Sequence, residues 1–198
     1  REQFLAAMLS GRLGEFPHTL TEWREEGALA YDIRPEGWSE ADRRVYLYIH
    51  GGALIMGSRT RINPLHRARY LDAGFAVVAI DYRLAPEWRF PTAVNDVWDA
   101  LGWLADKGAA RLGLDRRRIA VGGDSAGGTL AAVSAVHARD EGLELALQLL
   151  IYPGTTDHQD TPSHQLYAHG PVLDEAMIDW FFHHYIDAVD RSDWRFAP

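Results

Sequence analysis

The chain has 198 residues, of which 47% are hydrophobic and 24% are charged, and these values indicate one soluble globular domain with a substantial core. Its formal net charge of -8 includes no basic run, which argues against a nucleic-acid partner. No apolar stretch is long enough for a transmembrane segment and no signal peptide is recognisable, so we expect a cytoplasmic protein. The absence of cysteine excludes disulfides and thiolate metal sites.

The order of the predicted elements is that of an α/β fold. Apolar runs of strand length alternate with segments of helical period, which is typical of a mostly parallel sheet flanked by crossover helices. Five strands are predicted, at 28–33, 45–49, 75–80, 119–121 and 145–151. Helices are predicted at 93–104, 126–138 and 173–182. We expect the strand at 28–33 to form an edge of the sheet.

A serine stands between the strand at 119–121 and the helix that follows it, in the motif Gly-Asp-Ser-Ala-Gly-Gly at 123–128. A tight strand-to-helix turn forces such a serine into a strained backbone and exposes its hydroxyl, and only small neighbours allow the chain segments to pass so closely. The turn therefore predicts that Ser125 is a nucleophile. Because Ser125 heads a helix, the N–H of Ala126 has no intrahelical acceptor and can face an oxyanion.

A second loop, His-Gly-Gly-Ala at 50–53, directly follows the predicted strand at 45–49. Glycine lets the backbone turn its N–H groups towards a substrate, so Gly51, Gly52 and Ala53 join Ala126 as candidate oxyanion-hole donors. His50 is interpreted as a residue that holds this loop rather than as the catalytic base.

The segment 81–87, Asp-Tyr-Arg-Leu-Ala-Pro-Glu, follows the predicted strand at 75–80. It is interpreted as a rigid loop in which Arg83 and Glu87 pair with each other or with neighbours.

These motifs, together with Phe-Pro at 90–91 and Ile-Tyr-Pro at 151–153, resemble the hormone-sensitive-lipase family of α/β-hydrolase esterases, in its bacterial branch with Asp before the serine. The resemblance covers most of the chain from about residue 46. It implies a single α/β-hydrolase domain over 1–198 with cap elements at about 1–20 and 155–186. It also implies a serine carboxylesterase that forms an acyl-enzyme with small to medium acyl esters. No metal and no organic cofactor are implied, and the expected partner is a small-molecule ester.

The chain departs from the family pattern at two points. Ala53 stands where the family usually has a third glycine, and its methyl group narrows the pocket beside it. The family also places its catalytic Asp and His well downstream of the serine, whereas this sequence ends at Pro198. We therefore expect the final strands, the Asp and the His to be absent from these 198 residues, and the chain alone to be inactive.

Residues within 155–186 offer weaker substitutes for the missing acid and base. Asp157 or Asp160 could pair with His164 or His169, and Asp179 could pair with His183 four residues later on a helix. Such pairs are more typical of surface interactions. A metal site is the other interpretation of this segment, but the spacing of its histidines is irregular. Those histidines are His158, His164, His169, His183 and His184.

Two other functions use the same motifs. A non-catalytic binding protein of this fold would keep the pocket and lack the catalytic histidine, as does a plant hormone receptor that resembles the family. An amidase or acyltransferase would use the same serine with a different leaving group or acceptor. The sequence does not determine the oligomeric state, and a homo-oligomer is one of the alternatives.

Overall fold

A computed structural model describes the chain at residues 18–25, 28–35, 44–59, 70, 73–170 and 172–198, with side chains described from residue 44 onward. Six strands form one sheet within these residues. They are β1 (His18–Glu25), β2 (Ala28–Pro35), β3 (Arg44–Ile49), β4 (Phe75–Ile80), β5 (Ile119–Asp124) and β6 (Leu147–Ile151).

The strand order is β1-β2-β4-β3-β5-β6. Strands β4, β3, β5 and β6 run parallel to one another, which confirms the mostly parallel sheet. β1 and β2 pair antiparallel with each other, and β2 pairs antiparallel with β4. Because β2 lies between β1 and β4, the prediction of an edge strand at 28–33 is wrong, and β1 was not predicted.

The longer helices connect or follow these strands. They are α1 (Thr92–Trp103), α2 (Ala126–Asp140), α3 (Pro162–Leu166) and α4 (Glu175–Tyr185). α1 continues through a π-helical turn at Leu104–Gly108. α4 begins two residues later than predicted because the Asp174 carboxylate caps it, accepting a hydrogen bond of 2.7 Å from the Met177 N–H. No helix among the described residues is long and apolar enough to cross a membrane.

The core lies on both faces of the central strands. β3 and β4 are buried along all but their first residue, as expected of parallel strands covered on both sides. Alternate side chains of β3, among them Val45, Leu47 and Ile49, join the cluster that includes residues of α1 and α2. The intervening Tyr46 and Tyr48 face the other side, where they pack with Tyr70. Strand alternation thus separates an aliphatic face from a face rich in tyrosine.

The cap boundaries remain a prediction. Residues 1–17 of the expected cap at 1–20 lie outside the described residues, and residues 18–20 belong to β1. The expected cap at 155–186 contains α3 and α4.

Candidate active site

Ser125 occupies the turn between β5 and α2. Its φ of 53° and ψ of -124° lie in a region that residues with a side chain rarely adopt. The turn is held by a hydrogen bond of 2.9 Å from the Ser125 N–H to the Ile151 carbonyl oxygen at the end of β6. The strained backbone that the motif predicts is therefore present at Ser125, whose side chain is half-buried.

Close backbone contacts explain why small residues surround the serine. A Cβ on Gly127 would collide with the backbone oxygens of Ile49 and His50. A Cβ on Gly123 would likewise collide with the Ile49 carbonyl oxygen. The end of β5 and the start of α2 can pass the end of β3 this closely only because Gly123 and Gly127 have no side chain.

The loop after β3 turns sharply beside the serine. Gly52, Ala53 and Leu54 have φ values of 115°, 55° and 65°, three consecutive positive angles. The Gly52 carbonyl oxygen accepts hydrogen bonds from the N–H groups of Ile55 and Met56, at 3.1 and 2.9 Å. Ala53 thus adopts a left-handed conformation at the position where glycine was expected, and its backbone remains part of the loop.

Gly51 lies directly against the serine turn. A Cβ placed on it would lie 2.5 Å from Asp124 Oδ2 and 3.2 Å from Ser125 Cβ. The two loops predicted from distant parts of the sequence therefore meet, because β3 and β5 are adjacent parallel strands.

His50 is buried at the base of this loop, with 2% of its surface exposed. Its Nδ1 lies 2.7 Å from the Gly51 carbonyl oxygen, and its ring stacks on Tyr82 at a centroid distance of 4.2 Å. The Tyr82 hydroxyl donates a 2.7 Å hydrogen bond to the His50 carbonyl oxygen. These contacts support the interpretation that His50 holds the loop.

The segment 81–87 anchors the loop further, and of the two expected alternatives for Arg83 the structure shows a pair with a neighbour. Asp81 accepts a 2.6 Å hydrogen bond from the Arg59 N–H and forms an ion pair with the Arg59 guanidinium. Arg83 pairs with Asp96 of α1, at 2.5 Å, rather than with Glu87. Sequence reasoning missed the contribution of Tyr82 and Asp81, although loops that follow adjacent parallel strands are expected to meet.

A cleft of about 550 Å³ opens above the serine. Four of the five predicted site residues line it, namely Gly52, Ala53, Ser125 and Ala126, whereas Gly51 lies behind them against Asp124. Apolar side chains on and just before α4 line the cleft from the segment 155–186. They are Val172, Leu173, Met177, Ile178, Phe181 and Phe182. The cleft therefore combines the predicted nucleophile and three of the predicted backbone donors with a mostly apolar wall.

None of the local acid–histidine pairs considered above forms among the described residues. Asp157 and Asp160 both contact His158, at 2.5 and 3.2 Å. The Nδ1 of His164 lies 2.8 Å from Thr161 Oγ1. Asp179 accepts a hydrogen bond from Gln159. No described histidine hydrogen-bonds to the hydroxyl of Ser125.

No group of three or more metal-binding side chains is positioned to hold an ion in the described part of the chain. His158 and His164 line the cleft, whereas the other histidines of the metal interpretation are not among its lining residues.

His158 gives a pH-dependent prediction. The pKa of His158 is raised above 6.5. The main cause is its hydrogen bond to Asp157, and the next is the charge of Asp160. Because the folded-state pKa exceeds the unfolded one, this interaction stabilises the fold fully below the unfolded pKa and is lost as pH rises through the folded pKa. We expect an NMR titration of the His158 ring to give a pKa above 6.5 that falls in Asp157→Asn.

The matched control is Asp179→Asn, which removes a carboxylate bonded to Gln159 and not to His158. It should leave the His158 titration unchanged. A His158 pKa that responds equally to both substitutions would contradict the assigned cause.

Comparison with known proteins gives consistent matches. The alpha/beta hydrolase fold family matches residues 46–198. Ethyl acetate hydrolase of Pseudomonas putida is 43% identical over 155 residues, which cover 77% of this chain and 48% of that protein. Carboxylesterase NlhH of Mycobacterium tuberculosis is 40% identical over 196 residues, covering 92% of this chain and 60% of that protein.

A crystal structure of a thermostable esterase from Pseudomonas putida ECU1011 superposes with a TM-score of 0.85 at 30% identity, covering all of this chain and 63% of that one. The chain thus spans about half to two thirds of the length of these relatives.

Proposed function

Because the chain belongs to the alpha/beta hydrolase fold family, we propose that the protein hydrolyses carboxylic esters with small to medium acyl groups through an acyl-enzyme on Ser125. The observation that carries the proposal is the position of Ser125, strained and open to a cleft that Gly52 and Ala53 also line. Relatives named as an ethyl acetate hydrolase and a carboxylesterase support the same chemistry.

In the proposed reaction, Ser125 Oγ attacks the ester carbonyl carbon while a general base takes the hydroxyl proton. The carbonyl oxygen becomes an oxyanion, for which the N–H groups of Gly51, Gly52, Ala53 and Ala126 are the candidate donors. Collapse of the tetrahedral intermediate breaks the bond to the alcohol, which leaves with the proton. Water then attacks the acyl-enzyme and releases the acid. We assign the base to no described histidine, because none hydrogen-bonds to Ser125.

The cleft supports the proposed substrate class. A volume of about 550 Å³ is within the range of small-molecule sites, and its wall is largely apolar. Such a wall favours the hydrocarbon part of an ester, while the polar atoms needed for chemistry come from the serine and the backbone.

The proposal is tested by reacting the full-length protein with diethyl p-nitrophenyl phosphate, which phosphorylates activated serines. We expect release of about one p-nitrophenol per protein and attachment of the diethyl phosphoryl group to Ser125, located by peptide mass spectrometry. The native protein should also turn over p-nitrophenyl acetate, and the phosphorylated protein should not. Binding of the ester without turnover or labelling would instead indicate a ligand-binding protein of the same fold.

A further inference from the structure

The side chain of Asp124 lies between the two loops of the candidate active site. It immediately precedes Ser125, and its Oδ1 accepts a hydrogen bond of 2.6 Å from the Tyr48 hydroxyl. Its other oxygen, Oδ2, faces Gly51 so closely that a Cβ on Gly51 would lie 2.5 Å away. One carboxylate therefore touches the oxyanion loop while it is held by a side chain of β3.

The backbone ladder between β3 and β5 ends just before these loops. Its last pairs are Tyr48 with Gly122 and Ile49 with Gly123. Gly51 and Ser125 both stand two residues beyond the final pair, so the sheet itself does not fix the distance between them. The hydrogen bond of Tyr48 to Asp124 is a side-chain link that reaches beyond the ladder to this position.

The side chain of Tyr48 is held in one position by burial and by neighbouring aromatic rings. It is 2% exposed, and the rings of Tyr46 and Tyr70 lie at centroid distances of 6.3 and 6.4 Å. Burial first, and then the hydrogen bond to Asp124, raise the pKa of Tyr48 far above its usual value. The phenol therefore remains a proton donor, and a hydrogen bond from it to a carboxylate is short and strong.

We propose that Tyr48 is a positioning residue that acts through Asp124 to set the placement of Gly51 relative to the nucleophile Ser125. This inference rests on the proposed esterase function for its kinetic consequences. Donors of an oxyanion hole must be placed to within a fraction of an ångström, so the loss of one hydroxyl behind the loop should slow the chemical step rather than weaken substrate binding.

The test compares Tyr48→Phe with Tyr46→Phe in the full-length protein. Both changes remove one buried hydroxyl from neighbouring tyrosines of β3, but only Tyr48 bonds to Asp124. We expect Tyr48→Phe to lower kcat for p-nitrophenyl acetate about 10-fold with KM within about twofold. Tyr46→Phe should keep kcat within about twofold of the native value. Amide hydrogen exchange at residues 50–53 should be faster in Tyr48→Phe than in Tyr46→Phe.

A second pair of variants keeps the proposal testable if Tyr48→Phe folds poorly. Asp124→Asn retains an oxygen that can accept from Tyr48, whereas Asp124→Ala does not. We expect Asp124→Asn to recover most of the kcat that Asp124→Ala loses, and Tyr48→Phe to have no further effect when added to Asp124→Ala.

Equal kcat and equal exchange at residues 50–53 in Tyr48→Phe and Tyr46→Phe would overturn the positioning role, as would additive losses in the double variant. Absence of ester turnover in the native protein would overturn the esterase proposal alone. In that case the exchange comparison still decides whether Tyr48 positions the loop.

Discussion

Ser125→Ala should lower kcat for p-nitrophenyl acetate by about 10⁴-fold or more, because the covalent intermediate can no longer form. The loss should appear in kcat and not in KM, since the cleft and its apolar wall are unchanged. Alanine retains the N–H that donates to the Ile151 carbonyl oxygen, so the turn should keep its shape. Stopped assays with the purified full-length variant, alongside its thermal unfolding curve, measure both effects.

Ser134→Ala provides the matched control for this substitution. Ser134 lies on α2, the helix that begins directly after Ser125, but it is buried and its hydroxyl donates to the Leu130 carbonyl oxygen at 2.7 Å. Its loss should lower the free energy of unfolding by about 1 kcal/mol and leave kcat within about twofold. If Ser125→Ala retained most of the activity, the acyl-enzyme mechanism would be wrong.

Gly52→Ala should lower kcat by about 10²-fold or more through the oxyanion loop. Gly52 has a φ of 115°, and a Cβ on it would collide with the Met56 carbonyl oxygen, which cannot move without opening the turn. The loop must shift, and its N–H groups then no longer point at the developing oxyanion. We expect a much smaller change in KM, measured in the same p-nitrophenyl acetate assay.

Gly142→Ala is the matched control for Gly52→Ala, because it introduces backbone strain at a positive φ without a collision that would displace a loop. Gly142 also has a positive φ, of 72°, but no atom lies within 4 Å of the position its Cβ would take. The substitution should cost about 1 kcal/mol of unfolding free energy and leave kcat unaltered. A Gly52→Ala variant with native kcat would show that this loop contributes no oxyanion donor.

The parts of the fold that were predictable carry strong local signals. β3 and β4 can be recognised from their continuous apolar runs, and the serine turn from the glycines on both sides of Ser125. Neither prediction needs information from elsewhere in the chain. β1 was missed because the sequence at 18–25, His-Thr-Leu-Thr-Glu-Trp-Arg-Glu, has no such run. Its strand forms through antiparallel pairing with β2, and pairing partners are not visible in a local pattern.

The contacts of the site were less predictable than its residue types. Arg83 selects Asp96 on α1 over the nearby Glu87, and Tyr82 reaches back to the backbone of His50. Both choices depend on which loops the strand order brings together. The meeting of 50–53 with 123–128 could be expected only because both segments directly follow strands.

The two kinds of cleft residue come from separable parts of the chain. The proposed nucleophile and backbone donors lie at the ends of β3 and β5, whereas the apolar wall on and just before α4 is contributed after β6. Replacement of that later segment by one of different size would reshape the cleft, while Ser125 and the loop at 50–53 stay in place. Substrate range could therefore be re-engineered as an exchangeable module, independently of catalytic power.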